Sequence, residues 1–159
     1  MIKNNLKTID MDAVHLHLIL NHIPVIITAL SLFLLILVMI SDNSSYRRLA
    51  FLGFVFAALF AFLTYETGEN AEDIVENLTG FSEEVIEDHE HAAENARWLS
   101  ILLGVAGITG LIFFNSDTAK GYKVFMYVLL VLSLVVIGYL AYTGYLGGLI
   151  RHTELQDLF

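Results

Sequence analysis

The sequence predicts an all-α integral membrane protein, a four-transmembrane-helix up-down bundle whose second and third helices continue past the bilayer as an acidic helical hairpin. Three observations carry this. Of 159 residues, 57% are hydrophobic and the mean hydropathy is +0.69, against about 45–50% apolar residues in a soluble domain. The apolar residues fall in four runs, 16–40, 49–64, 99–114 and 124–150. A span needs about 20 residues to cross about 30 Å of hydrocarbon, so the two middle runs reach only by borrowing flanking residues. Charge is segregated: residues 64–98 hold eleven Asp and Glu, two of the six histidines and one basic residue, Arg97. A soluble bundle would carry a polar stripe on every helix, and residues 32–40 carry none.

The chain reads as one membrane domain over 1–159, with spans near 13–40, 47–68, 92–114 and 122–150 and an acidic cap over 66–94. Helix 1 starts at Asp12, a suitable N-cap, and contains Pro24, which frees the carbonyl of Leu20 to kink the helix or face the interior. Residues 41–45 form a turn. Helix 2 then runs from Tyr46 through the apolar run to about Leu78, where Thr79-Gly80 ends it, glycine suiting a left-handed C′ position. Ser82 is placed to cap helix 3, with Glu83 and Glu84 favoured in its first turn by the helix dipole. Helix 3 continues to about Phe114, residues 115–121 form the second short turn, and helix 4 runs from Tyr122 to Arg151. The polar first twelve residues do not read as a signal sequence.

The short turns carry Arg47, Arg48, Lys120 and Lys123, whereas no Lys or Arg lies between Gly68 and Arg97. The positive-inside rule then assigns the short turns to the cytoplasm, and both termini and the acidic segment to the outside of a bacterial inner (plasma) membrane. Lys3, Lys7 and Arg151 oppose that orientation. The net charge of −9 comes from the acidic segment, and no basic stripe suggests nucleic acid. The absence of cysteine excludes thiol catalysis, disulfides and iron–sulfur ligation.

Membrane helices pack through small residues, so the small-residue stripe of each helix predicts its inward face. These stripes are Ser31, Thr28, Pro24 and Asn21 on helix 1; Gly53, Ala57, Ala61, Thr64 and Gly68 on helix 2; Gly107, Gly104, Ser100 and Ala96 on helix 3; and Gly138, Ala141, Tyr145 and Gly148 on helix 4. Followed to one end, they finish at His17, Glu72, His89 and His152. A second layer one to two turns deeper holds His22, Glu66, Arg97 and Tyr142, with Glu69 and Glu94 between the layers. His15 and His91 fall off these faces and read as surface residues.

Imidazole plus carboxylate is the ligand set of Fe, Zn, Cu or Mn, and four-helix bundles hold such ions between facing helices. His17, His22, Glu69, Glu72, His89 and His152 are the candidate ligands, the spare carboxylates orienting the histidines. Taken alone, the acids read better as the solvated face of a protruding helix; against that, like charges three and four apart repel, which a bound cation would relieve. The rival cofactor is haem b with two axial histidines. Helices 1 and 3 of an up-down bundle lie diagonally, so His17 or His22 would face His89 across a porphyrin, with Arg97 or Arg151 near its propionates and glycine faces making room. The wealth of carboxylates favours the ion. A third possibility is a non-catalytic accessory subunit packing other membrane subunits through its glycine faces. Transport is disfavoured, since no charge lies mid-span and no internal repeat is evident in the sequence.

The segment His17-Leu-Ile-Leu-Asn-His22-Ile-Pro24 resembles the His-x4-His-x-Pro opening of a widespread bacterial four-helix membrane family of unknown function. Gly144-Tyr-Leu-Gly147-Gly148-Leu-Ile resembles that family's Gly-x-x-Gly-Gly close, and 67–72 and 87–90 resemble stretches in a subset of its members. The resemblance implies a four-helix membrane fold, singles out His17, His22 and Pro24, and implies no activity.

Overall fold

Four long helices account for the architecture of the computed structural model, which describes residues 14–75, 82–114 and 119–152. Helix α1 spans Val14–Ser41, α2 Ser44–Val75, α3 Glu83–Phe113 and α4 Tyr122–Arg151. Each is long and apolar enough to cross a bilayer. The Asp12 cap, the Thr79-Gly80 break and most of the second short turn lie outside the described residues. Helix α1 packs on α2 and α4, α2 on α3, and α3 on α4, so α1 and α3 lie diagonally across the bundle axis.

The helix ends follow local chemistry. Asp42 closes α1 in the left-handed region (φ 49°), its N–H reaching the Val38 carbonyl at 2.8 Å. Asn43 Oδ1 then accepts from the amides of Ser45 and Tyr46 at 2.9 and 3.2 Å, starting α2. Ser82 holds the cap position of α3 with extended backbone, but its side chain makes no capping bond. The glutamates Glu83 and Glu84 remain to oppose the helix dipole. Gly121 precedes α4 at φ 84°, a conformation glycine adopts without Cβ strain. At this end Arg47, almost wholly buried, joins three helices: its guanidinium donates to Asp42 at 3.2 Å and to the Tyr122 hydroxyl at 3.1 Å.

The proline in α1 has an identifiable partner. Pro24 cannot donate to the Leu20 carbonyl, and the Thr64 hydroxyl of α2 donates to it instead at 3.2 Å. The freed backbone acceptor is thus turned inward and satisfied. Helices α2 and α3 meet closely because Gly104 and Gly107 lack side chains. A Cβ at Gly107 would lie 2.7 Å from the Phe51 carbonyl oxygen. Outward, the helices present Ile19, Phe33, Ile40, Phe113 and Val124, each more than half exposed, as suits a lipid environment.

The inward faces expected of α1, α2 and α3 are the ones observed: Pro24, Thr28, Ser31, Ala57, Ala61, Ala96, Ser100, Gly104 and Gly107 are buried. Helix α4 differs. Its Gly138, Ala141 and Tyr145 are exposed, and its buried face is Met126, Leu129, Ser133, Val136, Leu140 and Leu146. In the first three helices small residues mark the seam. In α4 larger side chains fill most of the space beside α1 and α3, and Gly138 and Ala141 face out.

The two hairpins repeat one another. The buried positions Pro24, Thr28, Ser31, Leu35 and Val38 of α1 recur 72 residues later as Ala96, Ser100, Leu103, Gly107 and Gly110 of α3. Those of α2, Arg47, Ala50, Phe54, Ala57 and Ala61, recur 79 residues later as Met126, Leu129, Ser133, Val136 and Leu140. The repeat is one of burial and geometry, and side-chain identity conceals it.

Candidate functional site

His17 and His89 meet across the bundle axis. Their imidazole centroids are 6.4 Å apart and the ring planes stand at 90°. Each ring is held in the same way by the next helix. His17 Nδ1 lies 3.1 Å from the Thr64 carbonyl oxygen, and His89 Nδ1 lies 3.0 Å from that of Thr143. Since a carbonyl only accepts, Nδ1 carries the proton and Nε2 keeps its lone pair in both rings.

Four residues beyond each carbonyl stands a glycine. A Cβ at Gly68 would lie 3.1 Å from His17 Cε1, and a Cβ at Gly147 would lie 3.1 Å from His89 Cε1. The glycines let each ring rest against the neighbouring backbone. The shifts that relate the buried faces also relate the site: His17 to His89 by 72 residues, Thr64 to Thr143 and Gly68 to Gly147 by 79.

The separation restricts what the pair can hold. A metal–imidazole bond is about 2 Å and the ring nitrogen lies about 1.1 Å from the ring centre, so two imidazoles on opposite sides of one ion have centres about 6.2 Å apart. A tetrahedral pair would have centres about 5 Å apart. The observed centroid separation of 6.4 Å is nearer the first of these values than the second.

The other sequence candidates are more open to the surroundings. His22 is exposed on α1, and His152 and Arg151 are exposed at the end of α4. Glu69 is exposed and Glu72 half-buried on α2. His152 ends the α4 stripe whose Gly138, Ala141 and Tyr145 are exposed, and it is itself exposed. Among the described residues no group of three or more His, Asp or Glu side chains is disposed around a common ion. His15 is exposed, as expected, and exposed His91 lies 3.7 Å from Glu87.

Of the deeper layer, Arg97 and Glu66 do meet. The Arg97 guanidinium stacks 3.8 Å from the Tyr65 ring centre and lies 3.9 Å from carboxylate oxygens of both Glu66 and Glu94. Tyr142 is exposed beside Gly138. The residues missed in sequence were the backbone acceptor of Thr143 and the glycine at 147 as a ring seat. The available signal was Thr-x-x-x-Gly, at 64–68 and again at 143–147, each following a histidine on the preceding helix.

Fold and site together define a class: a four-helix bundle of membrane-span helices, built from two similar hairpins, that brings a half-buried pair of histidines into ring contact near one end. Comparison with known protein families, curated proteins and solved structures finds no match to this chain.

Proposed function

We propose that the protein is a b-type cytochrome of the bacterial inner membrane, an electron-transfer protein with one haem between His17 and His89. The observation that carries this reading is the 6.4 Å separation of the two imidazoles, the spacing of opposed axial ligands. When bound, haem with two imidazole ligands supplies one-electron oxidation and reduction. The chain's own part is positional. The Thr64 and Thr143 carbonyls fix the tautomer and raise the basicity of each ligand. Gly68 and Gly147 admit the rings, and Ala61, Ala71, Ala92 and Ala96, all buried near this end, place only methyl groups there. Arg97 is the candidate cation for a propionate. On this reading the acidic hairpin stands outside the bilayer above the haem.

The test is an absorption spectrum with a metal assay on the detergent-purified protein. A Soret band and reduced α band, with one haem per chain, is the expected result. A colourless preparation with stoichiometric zinc, manganese or copper would favour the simple ion site. One with neither would leave the accessory-subunit reading.

A further inference from the structure

We infer that Thr67 tunes the reduction potential of this site by competing with His17 for the Thr64 carbonyl; the inference rests on the haem reading. The two ligands are held alike, but their acceptors are not equally loaded. A carbonyl oxygen has two lone pairs, and within a helix one is engaged by the amide four residues on. The Thr143 oxygen then has one lone pair left and one further claimant, His89 Nδ1–H. The Thr64 oxygen has two further claimants. His17 Nδ1–H approaches at 3.1 Å and the Thr67 hydroxyl donates at 2.9 Å, so three donors share two lone pairs.

The Thr67 oxygen also lies 3.5 Å from His17 Nδ1, the far limit of a hydrogen bond, and compensates little. The competition therefore dominates. A weaker acceptor draws the Nδ1 proton less, leaving His17 the poorer electron donor toward iron. A poorer donor stabilises the oxidised metal less, which raises the potential. The equivalent of Thr67 in the second hairpin, 79 residues on, is buried Leu146, which cannot compete. Thr67 is a positioning residue acting through His17, and the repeated architecture supplies its control.

The experiment is spectroelectrochemical titration of the full-length, haem-loaded protein and three variants. Thr67→Val keeps the branched shape and removes the donor, so the midpoint should move negative while haem content stays that of wild type. Thr67→Ser should titrate like wild type, and Leu146→Thr, placing the same donor beside the Thr143 carbonyl, should move the midpoint positive. An unmoved or positive midpoint in Thr67→Val with full haem overturns the inference and leaves the haem reading standing. Loss of haem in Thr67→Val but not Thr67→Ser also overturns it, showing a structural role. A wild-type protein without haem removes both.

Discussion

In the first hairpin His17 donates to the Thr64 carbonyl beside Gly68, and in the second His89 donates to the Thr143 carbonyl beside Gly147. The backbone elements of the two are interchangeable, but the hydroxyl groups around them are not. In α2 the Thr64 side chain leaves its own helix to satisfy the carbonyl freed by Pro24. In α4 the Thr143 hydroxyl turns back to the Tyr139 carbonyl four residues earlier. The counterpart of Pro24 is Ala96, which has its amide and frees nothing. The comparison separates what the site requires, an acceptor and a glycine behind each imidazole, from what belongs to one half, the proline and its cross-helix bond.

The largest effect should come from the imidazoles. If the halves contribute equally, His17→Ala and His89→Ala should each abolish stoichiometric haem, read as loss of the Soret band and of pyridine haemochrome. His22→Ala and His152→Ala, at exposed positions, should retain it. Normal haem in either ligand variant, or loss in either control, breaks the pairing drawn from the 6.4 Å contact.

Much of this was legible in the chain because burial in a bundle follows simple periodicity. Four apolar runs gave four helices, and the glycine and alanine stripes of α2 and α3 gave their inward faces, since small side chains permit close backbone approach. The same rule chose the wrong face of α4, where Leu129, Val136 and Leu140 are buried and Gly138 is open. The repeat escaped notice because it equates Pro24 with Ala96, and Phe54 with Ser133. The two acceptors at the site are main-chain oxygens, which residue type does not advertise.

The glycines behind the rings should give the next largest effect. A methyl group at Gly68 or Gly147 meets a ring at 3.1 Å, and such overpacking typically costs about 1–3 kcal/mol. Gly68→Ala and Gly147→Ala should lower haem retention and thermal stability in detergent to similar extents. Gly148→Ala is the internal control: nothing lies within 4 Å of its Cβ position, so replacing a helical glycine there should be neutral or stabilising by up to about 1 kcal/mol. Equal losses at 147 and 148 would show that glycine in α4 matters for the helix and not for the imidazole.

The Thr64 bond distinguishes the halves. Thr64→Val leaves the Leu20 carbonyl without its hydroxyl donor and should cost about 1–2 kcal/mol, the usual penalty for an orphaned buried acceptor. Thr143→Val removes only a bond within one helix to a carbonyl already engaged there and should cost clearly less. Circular-dichroism melts of the two variants compare them directly, and equal costs would deny the proline-freed carbonyl any special need.

The smallest effect concerns two hydroxyls eleven residues from the ligands in the direction of the opposite end. Thr28 and Ser100 occupy equivalent positions in α1 and α3, are almost completely buried, and make no hydrogen bond among the described residues. An unpaired buried hydroxyl is destabilising, and replacing it with an apolar group of like shape is commonly neutral or favourable. Thr28→Val and Ser100→Ala should each raise the melting temperature slightly, by the equivalent of about 0.5–1 kcal/mol. Val fills the space of Thr almost fully, whereas Ala leaves a small gap beside α3, so the α1 variant should gain more. Destabilisation in both would mean the hydroxyls are satisfied in the folded protein, and the mid-bundle layer would then be a paired feature of the repeat.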